Sequence, residues 1–308
     1  MRRFLIDTDT ASDDAVALLM ALRTEGVKVE AITVVAGNVP LEQGVQNALY
    51  TVERSGVDAP VYRGLAKPLL RPLRTARFCH GQDGMGDIGL PLAGRIPAAG
   101  NGVDAIIDAI RRFAGQITLV TLGPLTNVAV AVLKEPSIAG MVKECVVMGG
   151  IGLGHGNVVP AAEYNIWVDP EAAKIVFAAG FPITMVGWDV SRRYAAFGPE
   201  DAEKLRAISP LGEFVVSIQK AMRVFCIEKL KQDGFDLPDP IAMAVALDPN
   251  VAVRAERLHV DVETKGELTS GETVVDHLGI TGHPPNANVV LDASRERFLS
   301  VLHSALRD

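Results

Sequence analysis

The sequence has few cysteines, few aromatic residues and no excess of basic charge. Its three cysteines, Cys79, Cys145 and Cys226, are odd in number and far apart. That pattern excludes a disulfide framework and a CxxC metal knuckle, and it indicates a reducing compartment, the cytoplasm. Lys and Arg number 30 against 37 Asp and Glu, which gives a net charge of −7. Nucleic acids and anionic membrane surfaces both call for clustered basic residues, so we expect neither as a partner.

Long apolar runs are also missing. The longest ones, 15–22 and 241–247, are far shorter than the roughly 18 residues that suggest a membrane span. Two arginines and only three apolar residues precede Asp7, which does not make a secretory signal. The chain does have a 48% hydrophobic fraction over 308 residues, which is enough for a sizeable folded core.

Strand-like and helix-like segments alternate along the chain. Short apolar segments at 3–9, 27–36 and 117–121 are each followed by a stretch with helical periodicity. This alternation predicts an α/β fold, Rossmann-like, with a mostly parallel sheet flanked by helices. Residues 199–231 have helical character without a strand and predict a helical hairpin beside the sheet. We therefore expect a single domain, 1–308, with a helical embellishment at about 199–231.

The first predicted strand leads into four carboxylates, Asp7, Asp9, Asp13 and Asp14. Asp13 and Asp14 could compensate the dipole of a following helix, for about 0.3–1 kcal/mol each, but that leaves Asp7 and Asp9 unexplained. Clustered carboxylates repel, so they must share protons or hold a cation. With no His or Cys among them, the ligands are all oxygen, which favours Ca²⁺ or Mg²⁺ over Zn²⁺. The segment therefore predicts a cation site.

An apolar strand that ends in Asp7-Thr8-Asp9 also resembles the haloacid-dehalogenase-like phosphatases, which use an aspartate nucleophile and Mg²⁺. A phosphatase of that kind is one alternative. It does not account for Asp13 and Asp14, and the Lys-bearing loop that it requires downstream cannot be placed.

Further motifs follow the acidic segment in a fixed order. They are VAGNV at 35–39, HG at 80–81 with Gly84 and Gly86, LGPLTN at 122–127, VMGG at 147–150, AEYN at 162–165, and DP at 239–240. Together with the DxDxxxDD segment they resemble the nucleoside hydrolases, which are calcium-dependent N-ribohydrolases. The resemblance implies hydrolysis of the N-glycosidic bond of a ribonucleoside to free base and ribose, in purine or pyrimidine salvage. It also implies a homodimer or homotetramer.

The same resemblance implies roles for individual residues. Asp9, Asp14 and Asp239 would bind Ca²⁺ through their carboxylates and Leu122 through its backbone carbonyl. Asp9 would also be the general base, taking a proton from a water that the metal holds and polarises. The residues implied in substrate binding are Asp13, Asn38, Asn165 and Asp239 at the 2′- and 3′-hydroxyls, Asn157 and Glu163 toward the 5′-hydroxyl, and Met148 and His80 elsewhere in the pocket.

The sequence departs from the family at one position. In broad-specificity members a histidine that helps protonate the departing base precedes the last calcium aspartate, but here that position is Pro238. Proline has no proton to give, so the usual leaving-group acid is absent and the identity of the base stays open. His80 is our candidate for a base-side contact, and Trp188 and Tyr164 are candidates for stacking surface.

A third possibility is a ribose- or nucleoside-binding protein that keeps the cation site without turnover. The intact Asp9, Asp14 and Asp239 argue against it, because all the groups needed to activate a water are present.

Overall fold

A nine-stranded sheet with helices on both faces forms the centre of the computed structural model, which describes residues 1–307. The strands, in chain order, are β1 (Arg2–Thr8), β2 (Val27–Val34), β3 (Val61–Arg63), β4 (Ile117–Thr121), β5 (Glu144–Met148), β6 (Ile183–Val186), β7 (Ala196–Phe197), β8 (Phe235–Asp236), β9 (Ala252–Val262), β10 (Thr273–Asp276) and β11 (Ala287–Ala293).

The α-helices, in chain order, are α1 (Ser12–Arg23), α2 (Leu41–Ser55), α3 (Arg77–His80), α4 (Gly102–Arg112), α5 (Thr126–Lys134), α6 (Tyr164–Val168), α7 (Pro170–Ala178), α8 (Trp188–Tyr194), α9 (Pro199–Arg206), α10 (Pro210–Ser217), α11 (Lys220–Phe225), α12 (Pro238–Leu247) and α13 (Arg295–Leu306). Short 3₁₀ turns span Pro136–Met141 and Pro249–Val251, and a π-helical turn spans Cys226–Leu230.

The main sheet is mostly parallel, as the sequence predicts. Its strand order is β10-β9-β11-β6-β5-β4-β1-β2-β3, and β7 and β8 form a separate two-stranded pair. Strands β1 to β6 and β11 pair in parallel, whereas β9 pairs antiparallel with both β11 and β10. Parallel strands that are covered on both faces have continuous apolar sequences. Strand β1 fits this rule, because its consecutive residues Phe4, Leu5 and Ile6 are all fully buried.

Two apolar cores lie on opposite faces of the sheet. On one face α1 packs against α2, α12 and α13. Every residue of α1 from Ser12 to Leu22 is buried, as expected for a helix that is apolar nearly all round. The other core is built on α4, α5 and α7. No helix within residues 1–307 is long and apolar enough to cross a membrane.

The predicted helical hairpin is instead a chain of short helices. Helices α9, α10 and α11 and the π-helical turn follow one another between residues 199 and 230. The breaks have local causes. Ser209 caps α10 by accepting the N–H groups of Leu211 and Gly212, and Pro210 occupies its first turn, where proline is favoured and cannot continue a preceding helix. The π-helical turn ends at Lys231, which has a left-handed φ of 58°.

Candidate active site

The predicted acidic residues meet at the carboxyl edge of the sheet. Asp9 directly follows β1, and Asp13 and Asp14 lie in the first turn of α1. Asp239 comes from the first turn of α12, which packs against α1. One oxygen each from Asp13, Asp14 and Asp239 lies within 4.8 Å of the others. Parallel strands and the helices that follow them bring residues far apart in sequence to this edge.

Two glycines allow the chain to close around Asp9. A Cβ at Gly123 would lie 2.8 Å from Asp9 Oδ1, and a Cβ at Gly37 would collide with Asp9 Oδ2. The backbone N–H of Asn38 donates to Asp9 Oδ2 at 2.6 Å, which fixes the orientation of the carboxylate. These contacts give a physical reason for glycine in both the VAGNV and LGPLTN motifs.

Burial raises the pKa of every carboxyl in this cluster. For Asp13 and Asp14 it raises the pKa from 3.8 to about 6, and for Asp14 the nearby charge of Asp13 adds to the rise. The pKa values of Asp9 and Asp239 are raised well above 3.8, first by burial and then by the charge of Asp14. A bound cation would offset this repulsion and favour the ionised forms.

The donor set fits a divalent cation. Asp9 Oδ1 and Asp13 Oδ1 are buried and have no hydrogen-bond partner among residues 1–307. Buried charged oxygens without partners are costly, and three carboxylates converge beside them. All the donors are oxygen, which is the preference of Ca²⁺ and Mg²⁺. The sequence put Asp13 with the ribose hydroxyls, whereas the structure brings its carboxylate into the same group as Asp14 and Asp239.

Asp7, the first carboxylate of the motif, has a different environment. Its Oδ1 accepts hydrogen bonds from Thr33 Oγ1 at 2.5 Å and Asn127 Nδ2 at 2.8 Å. Burial raises its pKa to about 7. Asn127 Oδ1 also accepts from the N–H of Leu65, so Asp7 and Asn127 join β1, β2, α5 and the loop after β3.

A network of hydrogen bonds connects the predicted residues Asn157, Glu163 and Asn165 with their neighbours. Asn165 Nδ2 donates to the carbonyl oxygen of Leu122 at 2.8 Å and to the Met148 sulfur at 3.2 Å. Glu163 Oε1 accepts from the Asn165 N–H at 2.7 Å, and its Oε2 accepts from Gly150 N–H at 2.9 Å. Burial raises the pKa of Glu163 to about 7. Asn157 Oδ1 accepts from the Tyr164 N–H at 2.9 Å. Together these hydrogen bonds attach the network to the carboxyl ends of β4 and β5.

His80 belongs to a hydrogen-bond network of which the sequence predicts only one member, His80 itself. Ser12 Oγ donates to Gln219 Oε1 at 2.9 Å and lies 3.1 Å from His80 Nδ1. Gln219 Nε2 donates back to the Ser12 carbonyl at 3.0 Å. Burial lowers the pKa of His80 to about 4, so its ring is neutral at pH 7. No sequence pattern points to Gln219, which lies 207 residues after Ser12.

One cavity of about 180 Å³ connects the predicted site residues. The predicted residues that line it are Asp13, Asn38, His80, Leu122, Met148, Asn157, Glu163, Asn165 and Asp239. Asp9 and Asp14 are fully buried and lie beneath this lining.

The outer walls of the cavity are apolar. They include Trp188 and Tyr164, which the sequence suggested, and the residues Ala76, Phe78, Met222, Phe225 and Leu230, which it did not. The rings of Phe78 and Phe225 lie 5.5 Å apart, and Phe78 is 62% exposed. Pro238 and Asp236 complete the wall beside Asp239. Apolar residues on helices usually pack in the core, so the apolar pattern of the sequence does not identify these positions as part of a cavity wall.

Comparisons with known proteins agree with the motifs. The profile of the family described as inosine-uridine preferring nucleoside hydrolase matches residues 4–300. The pyrimidine-specific ribonucleoside hydrolase RihA of Escherichia coli O9:H4 (strain HS) is 39% identical over 309 residues, which cover 98% of this chain and 97% of RihA. The plant nucleoside hydrolase PpNRh1 superposes with a TM-score of 0.93 at 34% identity, covering 99% of this chain and 98% of the other. A purine-preferring ribonucleoside hydrolase from Gardnerella vaginalis gives a TM-score of 0.91 at 30% identity, with coverage of 99% and 98%.

The chain therefore belongs to the inosine-uridine preferring nucleoside hydrolase family, and it is an N-glycosyl hydrolase of that class. The predicted fold class and the predicted family are both confirmed, and the phosphatase alternative is not supported.

Proposed function

We propose that this protein hydrolyses the N-glycosidic bond of a ribonucleoside with the help of Ca²⁺. The observation that carries the proposal is the group of buried carboxylates Asp13, Asp14 and Asp239, whose oxygens converge within 4.8 Å at a cavity with a polar side and an apolar side. Asp14, Asp239, Asp9 and the carbonyl of Leu122 would hold the cation. When bound, the cation supplies positive charge that polarises a water and engages ribose hydroxyls.

Asp9 is proposed as the general base. Its Oδ2 is held by the Asn38 N–H, whereas its buried Oδ1 has no partner among residues 1–307. One oxygen is therefore fixed, and the other can accept a proton from the water that attacks the sugar carbon. The glycines at 37 and 123 keep this carboxylate in close contact with two strand ends.

The polar lining would orient the ribose. Asp13, Asn38, Asn165 and Asp239 all reach the cavity and are proposed to bind the 2′- and 3′-hydroxyls. Asn157 and Glu163 also line it and are proposed to reach toward the 5′-hydroxyl. Breaking the glycosidic bond builds positive charge on the sugar, and a site rich in carboxylates stabilises that charge.

The apolar outer wall would hold the base. Phe78, Trp188 and Phe225 offer surfaces on which a flat ring can pack. Pro238 lines this part of the cavity but cannot donate a proton, so position 238 gives the departing base no acid. One relative is named pyrimidine-specific and another purine-preferring, so family membership alone does not select a base.

A nucleoside panel tests the proposed function. The protein is incubated with purine and pyrimidine ribonucleosides and excess Ca²⁺, and release of reducing sugar is measured before and after addition of EGTA. We expect ribose release that EGTA abolishes and Ca²⁺ restores. Binding without release would instead support a nucleoside-binding protein. Release of phosphate from p-nitrophenyl phosphate, without release of ribose, would support a phosphatase.

We also propose a cytoplasmic location and a homo-oligomeric assembly. Three free, buried cysteines support a reducing compartment such as the cytoplasm. A homodimer or homotetramer is proposed from the family resemblance, and light scattering of the purified protein tests it.

A further inference from the structure

We infer that Asp236, held in place by Arg192, determines which base is accepted, by taking a hydrogen bond from an exocyclic amine on the base. The preferred substrates would then be cytosine and adenine nucleosides rather than their oxo counterparts. This inference rests on the proposed function, because it assigns a contact to the base half of the same cavity.

Asp236 lies in the wall of the cavity at the end of β8, two residues before Pro238. Its side chain is 7% exposed, and it lines the cavity together with Asp13 and Asp239 of the acidic cluster. Cys226, on the helical side, lines the same cavity. Asp236 therefore stands between the acidic cluster and the apolar wall, where the base of a ribose-anchored nucleoside would lie.

The orientation of Asp236 is fixed from one side. Arg192 Nη1 donates to Asp236 Oδ2 at 2.5 Å, and Arg192 Nη2 donates to Gln232 Oε1 at 2.6 Å. The Arg192 guanidinium also lies 5.6 Å from the centre of the Trp188 ring, which lines the same cavity. A planar guanidinium with several fixed partners pre-organises the carboxylate that it binds.

Arg192 binds Asp236 through Oδ2, which leaves Oδ1 to accept a hydrogen bond from a ligand. A carboxylate can only accept, so it attracts N–H groups and repels carbonyl oxygens. Exocyclic amines of cytosine and adenine present N–H groups, and carboxylates are the side chains suited to accept from the cytosine amine. The 4-oxo group of uracil and the 6-oxo group of hypoxanthine would face the carboxylate with a lone pair.

The experiment compares matched nucleosides on the parent protein and on Asp236→Asn, with excess Ca²⁺. The pairs are cytidine against uridine and adenosine against inosine, and the readout is the ratio of kcat/KM within each pair. We expect the parent to favour the amino member of each pair by about tenfold or more. Asp236→Asn keeps the size of the side chain but adds an N–H donor, so the ratios should fall by about tenfold or reverse.

Asp233→Asn is the matched control, because Asp233 makes an exposed ion pair with Arg223 at 2.8 Å nearby. It should leave both ratios unchanged. A purely structural role of Asp236 would lower both members of a pair equally and lower Tm, which would overturn the inference. The parent alone gives a second measurement that does not depend on a folded variant, since N4,N4-dimethylcytidine should be a much poorer substrate than cytidine.

A parent protein that prefers uridine and inosine would also overturn the inference while leaving the proposed function intact. If the parent released ribose from no nucleoside, the proposed function itself would fail, and this inference would fail with it.

Discussion

Asp239→Asn separates two opposite effects of the acidic cluster on stability. The oxygens of Asp13, Asp14 and Asp239 lie within 4.8 Å of one another, and at that distance each pair of full charges repels by about 3.5 kcal/mol at an effective dielectric constant of about 20. Replacing Asp239 removes its repulsion with both of the others. Partial protonation already relieves some of that repulsion, so we expect the cation-free protein to gain about 1–3 kcal/mol. The same substitution removes a cation ligand.

Thermal unfolding at pH 8 with excess EGTA and with excess Ca²⁺ measures both effects. For a chain of this size 1 kcal/mol changes Tm by about 2 °C. In EGTA, Asp239→Asn should therefore unfold about 2–6 °C above the parent. In Ca²⁺ at about 1,000 times its Kd the order should reverse, because the cation then stabilises the parent by about 4.1 kcal/mol, which is more than the substitution gains. Asp58→Asn, at an exposed position, is the control and should follow the parent in both conditions.

The gain in EGTA should also depend on pH. Asp13 and Asp14 have pKa values raised from 3.8 to about 6, so they hold protons more tightly in the folded state than in the unfolded state. Their contribution to stability is complete below 3.8 and is lost as pH rises through about 6. The advantage of Asp239→Asn should therefore shrink at pH 5. A variant that is less stable than the parent in EGTA at pH 8, and that still responds fully to Ca²⁺, would refute the reasoning.

The remaining predictions concern turnover. Asp9→Asn should lower kcat by more than the 10²–10⁴-fold typical of a lost base, with unchanged circular dichroism; activity within a few-fold of the parent would show that Asp9 is not the base. Because Asp13 and Asn165 are predicted to bind ribose hydroxyls, kcat/KM should be far lower for 2′-deoxyuridine than for uridine, and comparable values would contradict that assignment. Because Pro238 supplies no proton, p-nitrophenyl riboside should exceed inosine and uridine in kcat/KM by about two to four orders of magnitude. Equal efficiency would reveal another acid.

The acidic half of the site could be predicted because its signal is local. Asp9, Asp13 and Asp14 lie within six residues at a strand-to-helix junction, and burial of β1 and α1 follows from their apolar composition. The helix start was less predictable. Serine is a favoured N-cap residue, yet Ser12 is the first residue of the helix and the cap position is Ala11, whose N–H donates to Asp14 Oδ2 at 2.8 Å. Asp14 thus caps α1 and contributes to the cluster, which frees the Ser12 hydroxyl for Gln219.

Apart from Trp188 and Tyr164, the apolar half could not be predicted, because its members come from segments that the chain order does not relate. Phe78 lies in the four-residue helix α3, Trp188 begins α8, and Phe225 ends α11. Each position has the residue type of ordinary core, and no spacing connects them. The apolar periodicity of residues 199–231 also does not predict where the helical stretch breaks. The breaks at Ser209 and Lys231 depend on a helix cap and on a left-handed residue, which the apolar pattern does not reveal.

Pro238 shows how the two halves are joined. It occupies the first turn of α12, immediately before Asp239, where its fixed φ suits the start of a helix and its missing N–H is not needed. The preceding Leu237 N–H donates to the Ala195 carbonyl at 3.0 Å, so the entry to α12 is tied to the end of α8. Replacing Pro238 by His would add a proton donor but loosen the backbone that places Asp239. A proton donor for the departing base is therefore more easily supplied from the facing wall, where the short helices at 199–230 place Met222, Phe225 and Leu230 beside the cavity.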